Sequence, residues 1–553
     1  MTPPPRLDIP MAELEALLER AKAGPLSDAD YATLKAALAT LGYLTELLED
    51  RTTTLQRLRH LLFGARTETT RTVLPPPPAV TDGTAGAADA SALVGPTRAD
   101  AQPTPPRHGH GRNGVHTYAG ARQVKVPHTT FQAGDRCPEC RKGTVYPQRE
   151  PAVLVRVVGQ APLGATVYAL ERFRCNLCGE VFTADPPAGV GSAQYDASAG
   201  SMIALLKYGS GLPLHRLEQL QGSLGIPMPA ATQWEIVAEV AATLQPAYTE
   251  LIRQAAQGEV LHNDDTRATI LALARGPTPE GPTDAGPTPE PPARTGTFTS
   301  GIVAIREGRE IACFFTGRQH ARENLADVLR QRAAALGPPI QMCDALARNV
   351  PATFEVILAN CLAHARRQFV EIAPAFPAEC RVVLETLREV YHHDATAKAE
   401  GLTPAARLAL HQEWSGPLIR ALHAWLTAQV AERKVEPNSR LGKAIAYLRT
   451  HWEPLTRFLH VAGAPLDNNV AERALTKAIL HHKASLFFKT ERGAHLADLF
   501  MSLIYTCQRT GADPFHYLTA LQAHAAALGA APRDWLPWTY RETLARSDAV
   551  PSA

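Results

Sequence analysis

Two groups of side chains in this sequence have types and spacings that could do chemistry. The first is acidic. Asp264 and Asp265 follow a strand-like run at 260–262, Asp344 follows another at 340–343, and Glu472 lies in the run Pro-Leu-Asp-Asn-Asn-Val-Ala-Glu-Arg-Ala-Leu at 465–475. Carboxylates at the ends of neighbouring strands can converge on one point, where hard cations such as Mg²⁺ bind through oxygen. Two such ions clamp a phosphodiester, one at the attacking oxygen and one at the leaving oxygen. Asp467 or Asn468 would cap a helix that presents Glu472 one turn in, completing the cage. Taken singly, each acid also reads as a surface Asp at a strand end, or as a Glu in a solvated ion pair beside Arg473.

The second group is Cys137, Cys140, Cys175 and Cys178, two CxxC pairs each followed closely by glycine. A CxxC turn lets two thiolates hold one ion, and two such turns complete a tetrahedral four-sulfur zinc site with no open position. That zinc would be structural. The β-forming residues at 153–158 and 166–170 would supply the strands of a zinc-ribbon-like module. Just upstream, the basic, glycine-rich run at 107–113 offers Arg107 and Arg112 to DNA phosphates.

These groups need elements to position them. Residues 11–72 read as a helical, leucine-zipper-like segment: Leu34, Leu41, Leu48, Leu55 and Leu62 recur every seven residues. Such a repeat favours a coiled coil and self-association, with Ser27 and Asp30 as its start signal. Residues 73–107 lose periodicity and gain proline, as a disordered linker does. A zinc-binding module over 108–190 comes next. Residues 191–256 are helical, with candidate helices at 214–220 and 231–241 around a Gly-Ile-Pro-Met-Pro turn, compatible with a helix-turn-helix DNA reader.

From 257 to 490 the pattern alternates. Runs at 260–262, 269–273, 301–305, 311–315 and 340–343 are strand-like, another begins at 356, and 323–335 reads as helix. That is an α/β core layered with helices. It carries a proline-rich disordered loop at 276–295 and a helical insertion at 378–460, and a C-terminal helical segment occupies 491–553. A formal net charge of +2 says little about nucleic acid, because a local basic face is hidden in the sum. No apolar run reaches the roughly 18 residues of a membrane span, and no secretory signal opens the chain. The expected compartment is the bacterial cytoplasm, in association with the nucleoid.

Several strings resemble those of the insertion-sequence-66 family of transposases: Leu-His-Asn-Asp-Asp-Thr at 261–266, Pro-Pro-Ile-Gln-Met-Cys-Asp-Ala-Leu at 338–346, Cys-Leu-Ala-His-Ala-Arg-Arg-Gln-Phe at 361–369, and Pro-Leu-Asp-Asn-Asn-Val-Ala-Glu-Arg at 465–473. The run His-Leu-Leu-Phe-Gly-Ala-Arg-Thr-Glu at 60–68 and the two CxxC pairs are similar too, and the likeness spans about 30–525 in the family's order. The resemblance implies a ribonuclease-H-like catalytic core with a helical insertion between the second and third acids. It implies catalytic, Mg²⁺- or Mn²⁺-binding acids at Asp264, Asp344 and Glu472, with Asp265 behind them. Arg366 and Arg367 become phosphate contacts and His364 an organiser of its helix; Arg473 and Lys483 join the candidate DNA contacts. Implied partners are double-stranded DNA (terminal inverted repeats and target) and accessory proteins of the same element; no membrane is involved.

Two departures stand out. His482-Lys483-Ala484 replaces the family's usual Arg-Lys-Asn, and Arg322 replaces a usual glycine. The expected activity is metal-dependent cleavage of element ends and strand transfer. The competing reading is a catalytically impaired, transposase-derived, zinc-dependent DNA-binding regulator, and a host nuclease with the same core is a third.

Overall fold

The computed structural model describes residues 193–274 and 296–548, together with 160–174, 181–190, most of 130–146, and Ser27, Asp30 and Thr33. The leucine repeat, the 73–107 linker, the proline-rich tract, Arg107, Arg112, Cys140, Cys175 and Cys178 lie outside the described residues. Asp30 N–H donates to Ser27 Oγ at 3.2 Å, as a helix start signal requires. In the region of the cysteine pairs, β1 (Arg172–Arg174) pairs antiparallel with β2 (Val181–Thr183). The β-forming residues at 166–170 are not in a strand, which corrects the expectation. They are exposed, so no packing rewards their propensity.

Three helices lead into the sheet: α1 (Ala197–Ala204), α2 (Leu214–Ser223) and α3 (Ala230–Ala255). Asp196 caps α1 by accepting from Ala199 N–H. The expected turn between α2 and α3 is present, with Gly225 at φ 75°. Helix α3 runs far beyond the expected 231–241 and passes through Pro246. Val237, Val240, Ala241, Leu244, Ala247, Tyr248 and Leu251 recur on one buried face, and their packing outweighs the hydrogen bond that proline removes. The outer face shows Glu235, Glu239 and Thr249, a poor surface for phosphates.

The core is one five-stranded mixed sheet in the order β5-β4-β3-β6-β7. Strands β3 (Val260–Ala268), β4 (Thr297–Arg306) and β5 (Arg309–Gly317) form an antiparallel meander, whereas β6 (Ile340–Cys343) and β7 (Ile357–Asn360) run parallel to β3. Glu307 and Gly308, both at positive φ, make the two-residue turn that matches strand twist between β4 and β5. Two expectations change. Residues 269–273 are not a strand: Ile270 makes a single bridge to Phe488, and Leu271–Ala274 is a short helix. The helix expected at 323–335 is α4 (Ala321–Leu329). It starts early because His320 and Glu323 form a capping box, and it stops where Arg332 turns back to bond the Ala256, Gly258 and Gly337 carbonyls.

Residues Cys361–Leu466 belong to a separate compact unit. Its described helices include α5 (Leu362–Ile372), α6 (Pro377–Ala399), α7 (Gly416–Ala431) and α8 (Arg440–Thr450). They pack Phe369, Leu384, Leu387, Ile419, Leu426 and Ile445 into its interior. Leu362 N–H donates to Leu466 O, which ties the two ends of the insertion together, and Arg407 from its middle donates to Ala464 O. Burial would raise the Asp394 carboxyl, but His411, Arg407 and Lys398 around it hold it well below the usual carboxylate range.

In the other unit the chain continues as α9 (Asn469–Ser485), α10 (Glu491–Thr510) and α11 (Pro514–Ala523). Helix α10 closes the β5 edge of the sheet. Asp498, Ser502 and Thr506, one helical turn apart, accept from the N–H groups of Thr316, Phe314 and Ala312. Two residues of strand rise about as far as four of helix, so one helix face satisfies the outward N–H groups that a sixth strand would take. Burial pushes the Asp498 carboxyl up to about 7 despite its two bonds from Thr316. Between the ordinary carboxylate pKa and 7 the folded chain therefore holds a proton that the unfolded chain has released, and stability falls as pH rises through that window. Asp498→Asn keeps the shape without the charge, so its melting temperature relative to the parent should be higher at pH 8 than at pH 5. Equal offsets at both pH values would contradict this.

Candidate active site

The sheet places two of the three expected acids at one edge of its parallel half. On the β4 side β3 stays paired through Ala268, which puts Asp264 opposite Gly301. On the β6 side pairing stops at His262, opposite Met342. Asp264 is thus inside its strand, not at its end as expected, yet it lies just past the last residue paired to β6. Asp344 is the first residue after β6. Glu472 stands in the first turn of α9, where its N–H donates to Asn468 O. Helix α9 packs on β3 and β4, and Gly301 permits that approach: a Cβ there would sit 3.0 Å from Leu475 Cδ2.

Burial pushes the Asp264 carboxyl up to about 7. The charges of Asp344, Asp265 and Glu472 push the same way, opposed by the bond that Asp264 Oδ1 accepts from Asp265 N–H at 2.8 Å. Among the described residues no Lys or Arg is ion-paired with Asp264 or Asp344. Asp265 differs. The pleat turns it to the opposite face, where, 2% exposed, it meets His320 Nδ1 at 2.9 Å and Arg348 at 3.3 Å. The His320 ring in turn packs on Phe298.

The acids are located by amides. Gln341 Nε2 donates to Asn263 Oδ1 and to Asn349 O, while Asn263 Nδ2 donates to Asn349 O. Asn349 donates from its side chain to Asp344 Oδ1, which also accepts from Leu346 N–H. Ahead of α9, Asp467 accepts from Asn469 N–H in an Asx turn, and the N-cap residue Asn468 makes no side-chain capping bond, which corrects the expected cap. Asn468, fully buried, instead donates from Nδ2 to Asn263 O at 3.1 Å and sets Oδ1 3.1 Å from His262 Nδ1. Burial pushes His262 down to about 4, so the ring is neutral and its Nδ1–H donates to that oxygen. Apart from Asp467 and Asn468, which the sequence offers only as helix caps, none of these positioning groups stands out in the sequence. The available signal was polar residues, His262, Asn263 and Gln341, inside runs that otherwise read as buried strand.

The remaining candidates are spread. Arg473 and Lys483 are exposed on α9, while Arg366, half-buried, and the exposed Arg367 lie on α5 in the separate unit. At the departing His-Lys-Ala run, burial lowers His482, opposed by the Arg267 backbone beside it. His481 stacks on Phe488 and Tyr208, and burial takes it to about 3. The donor set, carboxylate oxygens with no cation paired to either aspartate among the described residues, suits hard divalent ions. The carboxyl oxygens of the three acids do not all lie within 4.8 Å of one another. Of the four cysteines only Cys137 is described, at the start of a turn in which Arg141 N–H donates to its carbonyl and Arg141 adopts φ 55°.

The profile described as Transposase IS66 family matches residues 192–496, which contain the sheet, all three acids and the insertion. The chain belongs to the IS66 family of transposases. Relatives in Sinorhizobium fredii (strain NBRC 101917 / NGR234) include the uncharacterized proteins y4jD, 25% identical over 86% of this chain and 91% of its own length, and y4hP, 27% identical over 68% of each. No described helix is long and apolar enough to cross a membrane.

In this IS66-family chain the Asn468 amide serves two buried groups at once. Asn468→Ala should cost about 1–3 kcal/mol in denaturant unfolding, since the His262 N–H and the Asn263 carbonyl lose their partner. A loss below about 0.5 kcal/mol would show that the tether carries no weight.

Proposed function

We propose that this chain cleaves the ends of an insertion sequence and joins the freed 3′-hydroxyls to target DNA, with Asp264, Asp344 and Glu472 as the metal-binding acids. The observation that carries the reading is their arrangement. Burial and the nearby charges of Asp344, Asp265 and Glu472 together push the Asp264 carboxyl up, and neither aspartate has a cationic partner among the described residues. The sheet order, an antiparallel meander flanked by two parallel strands, supports a ribonuclease-H-like core interrupted by a helical insertion. Two Mg²⁺ or Mn²⁺ ions would supply charge neutralisation at the attacking and leaving oxygens.

The chain's own residues do the positioning. Asn349 and Leu346 N–H hold one oxygen of Asp344, leaving the other available to a ligand. Asp264 is held the same way by the Asp265 N–H. Asp265, committed to His320 and Arg348, braces the strand from behind and is not a ligand in this reading. Arg473 and Lys483 on α9, Arg366 and Arg367 on α5, and Arg107 and Arg112 near the cysteine pairs would meet phosphates. Such contacts make binding fall steeply with salt. Cys137, Cys140, Cys175 and Cys178 would hold a structural Zn²⁺. Catalysis would come from positioning and electrostatics, with no covalent protein–DNA intermediate.

The test uses duplexes carrying the terminal repeats that flank the gene, with Mg²⁺ or Mn²⁺. Asp264→Asn, Asp344→Asn and Glu472→Gln should each lower cleavage at least about a hundredfold. Removing one like charge should also raise the metal-free melting temperature of Asp264→Asn and shrink the stabilisation that added Mg²⁺ gives the parent. Full cleavage by any of the three would overturn the assignment. Tight repeat binding without cleavage by the parent chain would establish the regulator reading instead.

A further inference from the structure

Helix α9 ends in a strained turn that exposes apolar surface. Leu486 adopts φ 62° and ψ −44°, and Phe487 N–H donates to Ser485 O at 2.7 Å. This is a three-residue γ-turn of the positive-φ kind, which is rare and strained, and a bulky residue at its centre is unfavourable. The next residue holds it in place. Phe488 is buried, its N–H donates to Thr269 O at 2.8 Å, and its carbonyl accepts from Leu271 N–H at 2.9 Å. The turn therefore drives Leu486 and Phe487 outward, 71% and 44% exposed. Backbone strain and exposed apolar side chains are each unfavourable, and their coincidence points to a partner that covers them.

Two further features say which partner. The first is charge. The exposed stripe of α9 carries Arg473, Thr476, Leu480 and Lys483 and runs into the tip, and Lys489 and Arg492 lie just beyond it against the single acid Glu491. A surface of that sign fits a phosphate backbone. The second is a cavity of about 420 Å³ lined by Arg267, Thr269, Ile270, Thr297 and Phe298. Ile270 is bridged directly to Phe488, so this cavity lies beside the tip. An aromatic face, a guanidinium and a hydroxyl around such a space can stack and hydrogen-bond a nucleobase.

We propose that Leu486 and Phe487 form a wedge that enters the duplex at the element end and separates one base step, the displaced base being taken up by the cavity at Arg267 and Phe298. The proposal rests on the transposase reading for the identity of the duplex. Apolar side chains inserted between base steps unstack and kink DNA, at a cost repaid by added protein contact. From Glu472 to Leu486 the helix rises about 21 Å, so the opened step should lie within roughly six base pairs of the cleaved phosphate.

The experiment places 2-aminopurine in turn at each of the ten terminal base pairs of a repeat duplex and records its fluorescence with the full chain, with Ca²⁺ replacing Mg²⁺. The parent should raise the signal severalfold at one or two adjacent positions within that distance. Phe487→Ala and Leu486→Gly should abolish the increase while duplex affinity changes less than about tenfold. Glycine adopts this turn without strain, so the second variant keeps the fold. Duplex-level fluorescence at every position, or an unchanged signal in both variants, overturns the wedge. So does a change of oligomeric state in the variants with the fluorescence intact, which would assign the tip to a second copy of the chain. Cleavage in Mg²⁺ without unstacking defeats the wedge alone, whereas unstacking without cleavage supports the wedge and defeats the transposase reading.

Discussion

The candidate site depends on neutral amides buried beneath it. Asn263, Gln341 and Asn349 exchange hydrogen bonds that join β3, β6 and the loop carrying Asp344. Asn468 extends the same kind of contact from α9 to the Asn263 carbonyl and the His262 ring. Buried amides are costly unless satisfied, so few mutual placements of these four elements are acceptable. Position is thereby specified without charge. Lysine or arginine could have located the carboxylates as firmly, but would have neutralised the potential that draws a metal ion. Asp265, which does have a cationic partner in Arg348 and the His320 ring beside it, faces away from Asp264 on the same strand.

The sequence disclosed the chemistry more readily than its supports. The strand-like runs at 260–262, 301–305, 311–315 and 340–343 all fall in observed strands, because each is apolar enough to be buried in the sheet. The extent of β3 was not legible. Its second half, Asp264 to Ala268, is too polar to read as strand and is held there by β4 across the pair. The opposite error occurred at 269–273, where apolar residues suggested a strand but Ile270 pairs for a single residue with Phe488. Both cases depend on a partner far away in sequence, which local periodicity cannot register. Asn468 was weighed only as a helix cap, its commonest local use, because its bonds run to residues about two hundred positions upstream.

The two sides of the sheet are finished differently. At β5, Asp498, Ser502 and Thr506 of α10 accept the outward N–H groups, so that edge is closed to further strands and packs into the hydrophobic core. The match between four helical residues and two strand residues holds only if the helix lies along the strand axis, here in the opposite chain direction. That requirement orients α10, and it explains why polar residues occur every fourth position on a helix that is otherwise buried. At the junction of β3 and β6, by contrast, pairing simply stops after His262, leaving an unpaired margin on which carboxylates can gather. The rigid, closed edge lets the margin remain open.

Helix α9 then acts as a rod with different work at each end. Its first turn carries Glu472 and is pinned to β3 by Asn468; its middle lies close against β4 because Gly301 leaves room for Leu475. Its far end is fastened by Phe488 to Thr269. With both ends tied to the β3 chain, the helix has little freedom to slide. A γ-turn centred on Leu486 would relax by unwinding the last turn if that end were loose. The strain survives because the contacts on either side of it are stronger than the turn is unfavourable. A rod fixed in this way holds the exposed tip at a set distance from the third acid, so any distortion of DNA at the tip would be registered with the phosphate at the acids.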